Sequence, residues 1–193
     1  MKIVTTPHPS LHLKAQPIIT WDKKLDTQIK QMIALLENSH HPKGMGLAAT
    51  QVERQNRAFL LAIDNKIHTF LNPKITHRSK KTLIDVYKNE KKRWLEGCLS
   101  IPTIWGFVNR PSTIEIQYQL PETLKKIETK FDDFHAAAFQ HELDHLNGIL
   151  FTDRLLKQQG TIYQQTEKGL KPIELIKWIL SSTSALPLFP PPS

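Results

Sequence analysis

The segment HELDH, from His141 to His145, combines two metal-ligand side chains with a carboxylate. On an α-helix, residues four positions apart differ by about 40° of rotation and one turn of rise, so His141 and His145 can direct their imidazoles to one ion. Glu142 can reach a water molecule on that ion without ligating it, which is the arrangement of H-E-x-x-H hydrolases. The segment therefore predicts a metal-dependent amide hydrolase.

A catalytic site of this kind usually has three protein ligands and leaves one position for water, so a third ligand is needed. Phe151 occupies the place at which the metzincin pattern H-E-x-x-H-x-x-G-x-x-H requires its last histidine, which excludes that class of protease. Glu167 lies downstream, as in thermolysin-like enzymes, and keeps a zinc endopeptidase open as an alternative. Cys98 lies beside Gly97 and is the other candidate, because a thiolate binds iron or zinc strongly.

Three helices are predicted to position these residues. Asp22 offers an N-cap oxygen before a run of apolar residues at helical spacing. A second helix, from about 134 to 146, carries HELDH and is expected to end at Gly148 through a left-handed C-cap. Pro172 suits the first position of a third helix, whose apolar stripe continues to Leu180.

Short runs rich in β-branched or aromatic residues predict antiparallel strands. These runs are 57–63, 67–71, 83–87, 113–120 and 124–131. The expected fold is α+β, with antiparallel β-sheets packed around a central HExxH-bearing helix, an N-terminal helix and a C-terminal helix. A catalytic domain is expected at 1–165, followed by the C-terminal helix and a proline-rich tail at 166–193.

The composition narrows the functional classes. A chain of 193 residues suits one catalytic domain, and no apolar run is long enough to span a bilayer. The N-terminus resembles neither a secretory signal nor a transit peptide, so a bacterial-type cytoplasmic location is expected. The single cysteine excludes an intramolecular disulfide. The net charge of +8 favours proximity to polyanions such as RNA or acidic membrane surfaces, and charge alone does not choose between them. The basic stretch 74–93 is interpreted first as a solvated loop or edge strand.

Three segments together resemble the signature motifs of the peptide deformylase family, in the family's order. They are GMGLAATQ at 44–51, EGCLS at 96–100 and QHELDHL at 140–146. The similarity extends from Pro7 to Leu155. It implies an enzyme that removes the formyl group from the N-terminal formyl-methionine of nascent polypeptides.

The resemblance also implies the parts of the mechanism. One divalent metal ion is implied, with Fe²⁺ expected and Zn²⁺, Ni²⁺ or Co²⁺ as alternatives, and its ligands are Cys98, His141 and His145. Metal-bound hydroxide would attack the formyl carbon while Glu142 acts as general base and then general acid. The Gln51 side-chain amide and the Leu99 backbone N–H would stabilise the oxyanion.

The resemblance assigns substrate contacts as well. The expected substrate-binding residues are Gly46, Met45, Trp94, Phe134, Ala137 and Ala138. The two alanines lie four and three positions before His141 and so share its helix face. Glu96 and Arg110 match a pair that the family keeps near the site, for which a structural role is expected, whereas Trp105 stands near where many relatives carry a basic residue. Formyl-methionyl peptides are the expected partners, with the ribosome as a candidate through the C-terminal helix, and neither DNA nor a membrane is expected.

Overall fold

Two antiparallel sheets and four α-helices make up the described part of the chain, residues 1–39 and 44–174 of a computed structural model. The helices are α1 (Lys23–Glu37), α2 (Leu83–Val86), α3 (Asp133–His145) and α4 (Phe151–Lys157). The strands are β1 (Gly46–Ala48), β2 (Ala58–Ile63), β3 (Lys66–Arg78), β4 (Glu96–Cys98), β5 (Ile101–Gly106), β6 (Thr113–Gln119), β7 (Lys126–Asp132), β8 (Ile162–Thr166) and β9 (Gly169–Ile173). Short 3-10 turns occupy Pro9–His12, Ala49–Val52 and Glu90–Lys92.

The larger sheet has the strand order β1-β2-β3-β6-β7, and the smaller one has the order β4-β5-β8-β9. Every pair of neighbouring strands is antiparallel. This confirms the predicted α+β class with antiparallel sheets. Strands β1 and β4 each lie at an edge of their sheet, so each has one side without a strand partner within the described residues.

Helix α3 packs against β1, β2, β6 and β7 of the larger sheet. Phe139 on this helix meets Phe59 of β2 at a ring-centroid distance of 5.0 Å, within a cluster of buried aromatic and aliphatic side chains. All residues from 139 to 145 are buried, as is typical of a helix enclosed on every side. Gly148 follows with a φ of 70°, the left-handed conformation that the sequence predicted.

The predicted strand at 83–87 is wrong, because this segment forms the short helix α2. Thr82 begins the helix, and its backbone N–H and hydroxyl both donate to the Asp85 carboxylate at 2.7 and 2.9 Å. This local capping arrangement stabilises a helical turn in residues that the β-branched composition had assigned to a strand. The motif segment 44–51 contains strand β1, in which Gly46 pairs with Leu61.

The predicted helix start at Pro172 is also wrong. Pro172 lies in β9 and pairs with Tyr163 of β8, at the edge of the smaller sheet where the missing N–H of proline is tolerated. The rest of the predicted C-terminal helix and the proline-rich tail lie outside the described residues. The division of the chain at residue 165 stays a prediction, and the β8–β9 hairpin spans that position. No described helix has the length and hydropathy needed to cross a bilayer.

Candidate metal centre

Cys98, His141 and His145 come together in the interior. Their potential ligand atoms all lie within 4.8 Å of one another, and all three residues are buried. Cys98 ends the edge strand β4, whereas both histidines lie one turn apart near the end of α3. The Cys98 Sγ is 3.2 Å from His145 Nε2. The fold therefore joins two distant parts of the sequence into one potential ligand set.

The chemistry of this ligand set fits a divalent transition metal. One thiolate and two imidazoles suit Fe²⁺ or Zn²⁺, and three protein ligands leave a coordination position open. His141 Nδ1 lies 2.9 Å from Glu96 Oε2, which leaves Nε2 of the same ring available as a ligand. A carboxylate on the second nitrogen is the usual way in which a ligating histidine is oriented.

A buried charge network holds that carboxylate in place. Arg110 donates to both oxygens of Glu96, at 2.6 and 3.0 Å, and to Asp144 at 2.7 Å. Arg154 of α4 donates to Asp144 as well. Burial alone would raise the pKa of Glu96, but the Arg110 guanidinium and the His141 ring lower it to about 2. Glu96 is therefore ionised and fixed against His141, in line with the structural role expected for the Glu96 and Arg110 pair.

Glu142 lies on α3 between the two histidines and is buried, with 5% of its surface exposed. Its Oε2 has no hydrogen-bond partner among the described residues. Burial raises the pKa of Glu142 to about 7, although the adjacent His141 lowers it. A buried carboxylate with a free oxygen and a pKa near neutrality can accept and return a proton, which is what a general base and acid requires.

Gln51 lies in the 3-10 turn after β1 and reaches the cysteine sulfur. Its side-chain oxygen accepts from the Ala48 backbone N–H at 2.8 Å, and this orients the amide group. Its Nε2 lies 3.4 Å from Cys98 Sγ and donates to Ser100 Oγ at 3.1 Å. Leu99 follows the cysteine and lines the same cavity. The structure thus places both residues expected to stabilise an oxyanion beside the ligand set.

Ser100 was missed in the sequence. Besides accepting from Gln51, it donates its backbone N–H toward Cys98 Sγ at 3.4 Å, and it is fully buried. Its place in EGCLS, two positions after the candidate ligand, was an available signal. Asp144 and Arg154 were also missed as members of the charge network, although Asp144 lies inside HELDH.

A cavity of about 230 Å³ opens beside the ligand set. The six expected substrate-binding residues all line it: Met45, Gly46, Trp94, Phe134, Ala137 and Ala138. The rings of Trp94 and Phe134 both line it and meet edge to face with their centroids 5.6 Å apart, and Trp94 also contacts Tyr87 at 5.0 Å. Four further lining residues were not assigned from the sequence: Gly44, Leu95, Gly97 and Trp105.

The alternative third ligand, Glu167, is not part of this centre. It is exposed in the turn between β8 and β9, and the ligand set found among the described residues contains Cys98 in its place. Phe151, which occupies the position of the metzincin histidine, is buried on α4 with its ring 6.0 Å from that of His141. It supports the histidine by packing, and the zinc endopeptidase is not favoured.

An H-E-x-x-H helix that meets a buried cysteine within an α+β fold of antiparallel sheets defines a class of hydrolase with a candidate metal centre. The family described as polypeptide deformylase matches residues 1–160. The chain belongs to the peptide deformylase family.

Known relatives agree with this assignment. The peptide deformylase of Chromobacterium violaceum is 35% identical over 164 residues, which cover 82% of this chain and 90% of that protein. The peptide deformylase of Treponema pallidum is 36% identical over 155 residues, which cover 80% of this chain and 88% of that protein. The crystal structure of peptide deformylase from Thermotoga maritima is similar with a TM-score of 0.68 and 33% identity, covering 79% of this chain and 95% of that one. The Synechococcus elongatus enzyme in complex with actinonin has a TM-score of 0.72 and 26% identity, covering 96% and 87%.

Proposed function

We propose that this chain removes the formyl group from the N-terminal formyl-methionine of nascent polypeptides. The reaction uses one divalent metal ion, with Fe²⁺ as the expected ion, held by Cys98, His141 and His145. The observation that carries the proposal is the free, buried carboxylate oxygen of Glu142 beside this ligand set in a cavity. When bound, such an ion supplies Lewis-acid chemistry, lowering the pKa of water from about 15.7 toward about 7.

The cavity suits the end of an extended peptide. It lies between β1 and β4, the edge strands of the two sheets, and each of these can offer backbone groups to an added strand. Gly46 of β1 and Gly97 of β4 both line the cavity, and neither has a side chain that would keep a peptide away from the strand. Backbone pairing of this kind binds many different sequences, as a nascent-chain enzyme requires.

The apolar end of the cavity accounts for a preference for methionine. Ala137 and Ala138 are small and leave room along α3, whereas Trp94 and Phe134 form an aromatic wall. An unbranched thioether side chain can follow an irregular apolar space, and its sulfur interacts favourably with aromatic rings. Met45 also lines the cavity and is 38% exposed.

Glu142 carries the proton through the reaction. Its Oε2 takes a proton from the attacking water and delivers it to the methionine nitrogen as the amide bond breaks. The Gln51 Nε2 and the Leu99 backbone N–H donate to the carbonyl oxygen as negative charge develops there. Removal of one such donor typically lowers the rate by about 10²–10³.

Formate release from a formyl-methionyl peptide tests the proposal. Glu142→Gln is expected to keep the metal, because the three ligands are unchanged. It is expected to lose almost all activity, because an amide cannot act as the general base. Cys98→Ala is expected to lose both metal and activity. Glu167→Gln serves as the matched control, since Glu167 is exposed and belongs neither to the ligand set nor to the cavity lining, and is expected to behave as the wild type.

Two results would contradict the proposal. One is formate release by Glu142→Gln within about tenfold of the wild-type rate, because general-base catalysis typically contributes 10²–10⁴. The other is cleavage of internal peptide bonds by the Cys98→Ala protein, which would favour the zinc endopeptidase.

A further inference from the structure

Trp105 of β5 covers the outer face of the strand that borders the cavity. Its Cα pairs with that of Gly97 in β4, and a Cβ added at Gly97 would lie 2.7 Å from both Cε3 and Cζ3 of the indole. Its Nε1 donates to Gln165 Oε1 of β8 at 3.1 Å. The ring thus packs against the Gly97 backbone of β4, and its N–H forms a hydrogen bond to β8.

The indole lies on the face of β4 opposite the candidate metal centre. Glu96 and Cys98 direct their side chains to His141 and His145, whereas the missing side chain of Gly97 would point at Trp105. This is the alternation of successive residues in a strand. Trp105 nevertheless lines the cavity, so its ring is accessible to a peptide bound along β4.

An extended peptide along β4 has the same alternation. If its methionine side chain enters the pocket formed by α3 and Trp94, the side chain of the next residue must point to the other face. That face is the one on which the Trp105 ring lies. The contact is independent of the metal ligands and of Glu142.

We propose that Trp105 determines which side chain is preferred directly after the methionine, and that it selects aromatic and large apolar side chains there. The inference rests on the proposed deformylase function. An indole offers a broad apolar surface, and aromatic side chains gain further from edge-to-face or offset stacking. An acidic side chain gains nothing from a ring whose face carries negative charge density, so it is disfavoured.

The test uses the metal-loaded full chain and a series of formyl-Met-Xaa amides with Phe, Leu, Gly or Asp as Xaa. The wild type is expected to show a kcat/KM for the Phe amide about 3 to 10 times that for the Gly amide. This difference is expected to come from a lower KM for the Phe amide rather than from kcat. Trp105→Ala is expected to lower this ratio to about 1–2, and Trp105→Phe to retain most of it. Each ratio is measured on one preparation, so it does not depend on the fraction that is folded or loaded.

Two further variants separate a subsite from a merely structural role. Gln165→Leu removes the hydrogen bond to the indole and is expected to lower the Phe to Gly ratio in part. Trp21→Ala also deletes a half-buried indole, but next to α1 and away from the cavity, and is expected to leave the ratio unchanged. Competitive inhibition by the products Met-Phe amide and Met-Gly amide provides a binding readout with the same expected order.

An unchanged Phe to Gly ratio in Trp105→Ala, or a wild type that prefers Gly or Asp at this position, would overturn the inference and leave the deformylase proposal intact. Failure of the loaded wild type to release formate from any of the amides would instead refute the proposed function.

Discussion

Gly46 lies so close to Glu142 that a single added methyl group should disable the enzyme. A Cβ built on Gly46 would lie 2.6 Å from Cδ and 2.8 Å from Cγ of Glu142, and closer still to Oε1. Ordinary van der Waals contact begins at 3.4 Å, so the side chain would have to retreat by almost an ångström. Glu142 is buried within α3, so its carboxylate would be displaced into the cavity that it lines and away from its present position. Misplacement of a catalytic group by about 1 Å can lower the rate by about 10²-fold.

Gly46→Ala is therefore expected to reduce the kcat/KM for formate release by about 10²-fold, and overpacking should lower the free energy of unfolding by about 1–3 kcal/mol. The metal content should be unchanged, because Gly46 does not approach the three ligands in the way it approaches Glu142. Gly160→Ala is the matched control: its added Cβ would meet Leu155 Cδ2 at 2.9 Å, and neither residue lines the cavity. Formate release by Gly46→Ala within about threefold of the wild type, with the fold intact, would refute the reasoning.

Three further expectations concern stability. Arg110→Met should lower the free energy of unfolding by about 3–5 kcal/mol, because the buried Glu96 loses its guanidinium partner and Asp144 keeps only Arg154. Lys30→Met removes an exposed pair worth under about 0.5 kcal/mol, and equal losses of the two variants in urea denaturation would contradict this expectation. Thr103→Gly should stabilise by about 1 kcal/mol, since Thr103 has a φ of 66° that a β-branched residue rarely adopts; a lower urea midpoint would count against it. Saturation with Ni²⁺ at a hundred times its Kd should stabilise the wild type by about 2.7 kcal/mol, as measured by thermal unfolding. Cys98→Ala should lose that gain, and an equal gain in the variant would argue against Cys98 as a ligand.

The parts of the fold that could be predicted are those whose stabilising contacts are local. Helix α3 has a glycine in the left-handed conformation after its end and an H-E-x-x-H repeat, and both can be read within one segment. Helix α2 offered a comparable signal, because Thr82 and Asp85 form a capping pair. The β-branched residues of that segment outweighed this signal, which produced the wrong strand.

Strands β1 and β4 could not be predicted, because each has only three residues and contains glycine. Their extended conformation comes from pairing with β2 and β5, and such pairing depends on residues that are remote or of mixed character. Strand β8 is mostly polar and β9 is mostly exposed, and their place in the smaller sheet likewise depends on tertiary contacts. The predicted helix at Pro172 failed for this reason: a proline that suits a helix start is equally tolerated at a sheet edge.

The candidate site likewise contains residues that could be predicted from the sequence and contacts that could not. The two histidines and Glu142 follow from spacing on one helix, and Cys98 followed from its residue type together with the family resemblance. The face on which Trp105 lies could not be inferred without the register of β4 and β5. The bond of Gln51 to the cysteine sulfur likewise depends on how the 3-10 turn after β1 docks on the smaller sheet.

The charge network explains how so polar a site can be buried. Glu96 and Asp144 are each paired with Arg110, and Arg154 adds a second positive charge to Asp144, so these carboxylates have counter-charges within hydrogen-bond distance. The Oε2 of Glu142 has no hydrogen-bond partner in the described part of the chain, and burial raises the pKa of this carboxyl to about 7 against the opposing effect of His141. If Glu142 were paired with an arginine, as Glu96 is, its pKa would be low and it would stay ionised at pH 7. It would then not hold a proton that it could return to a leaving nitrogen. The same interior thus contains one carboxylate held as a fixed charge and another left free to exchange a proton, and only the second lies against Gly46 at the edge where a peptide would enter.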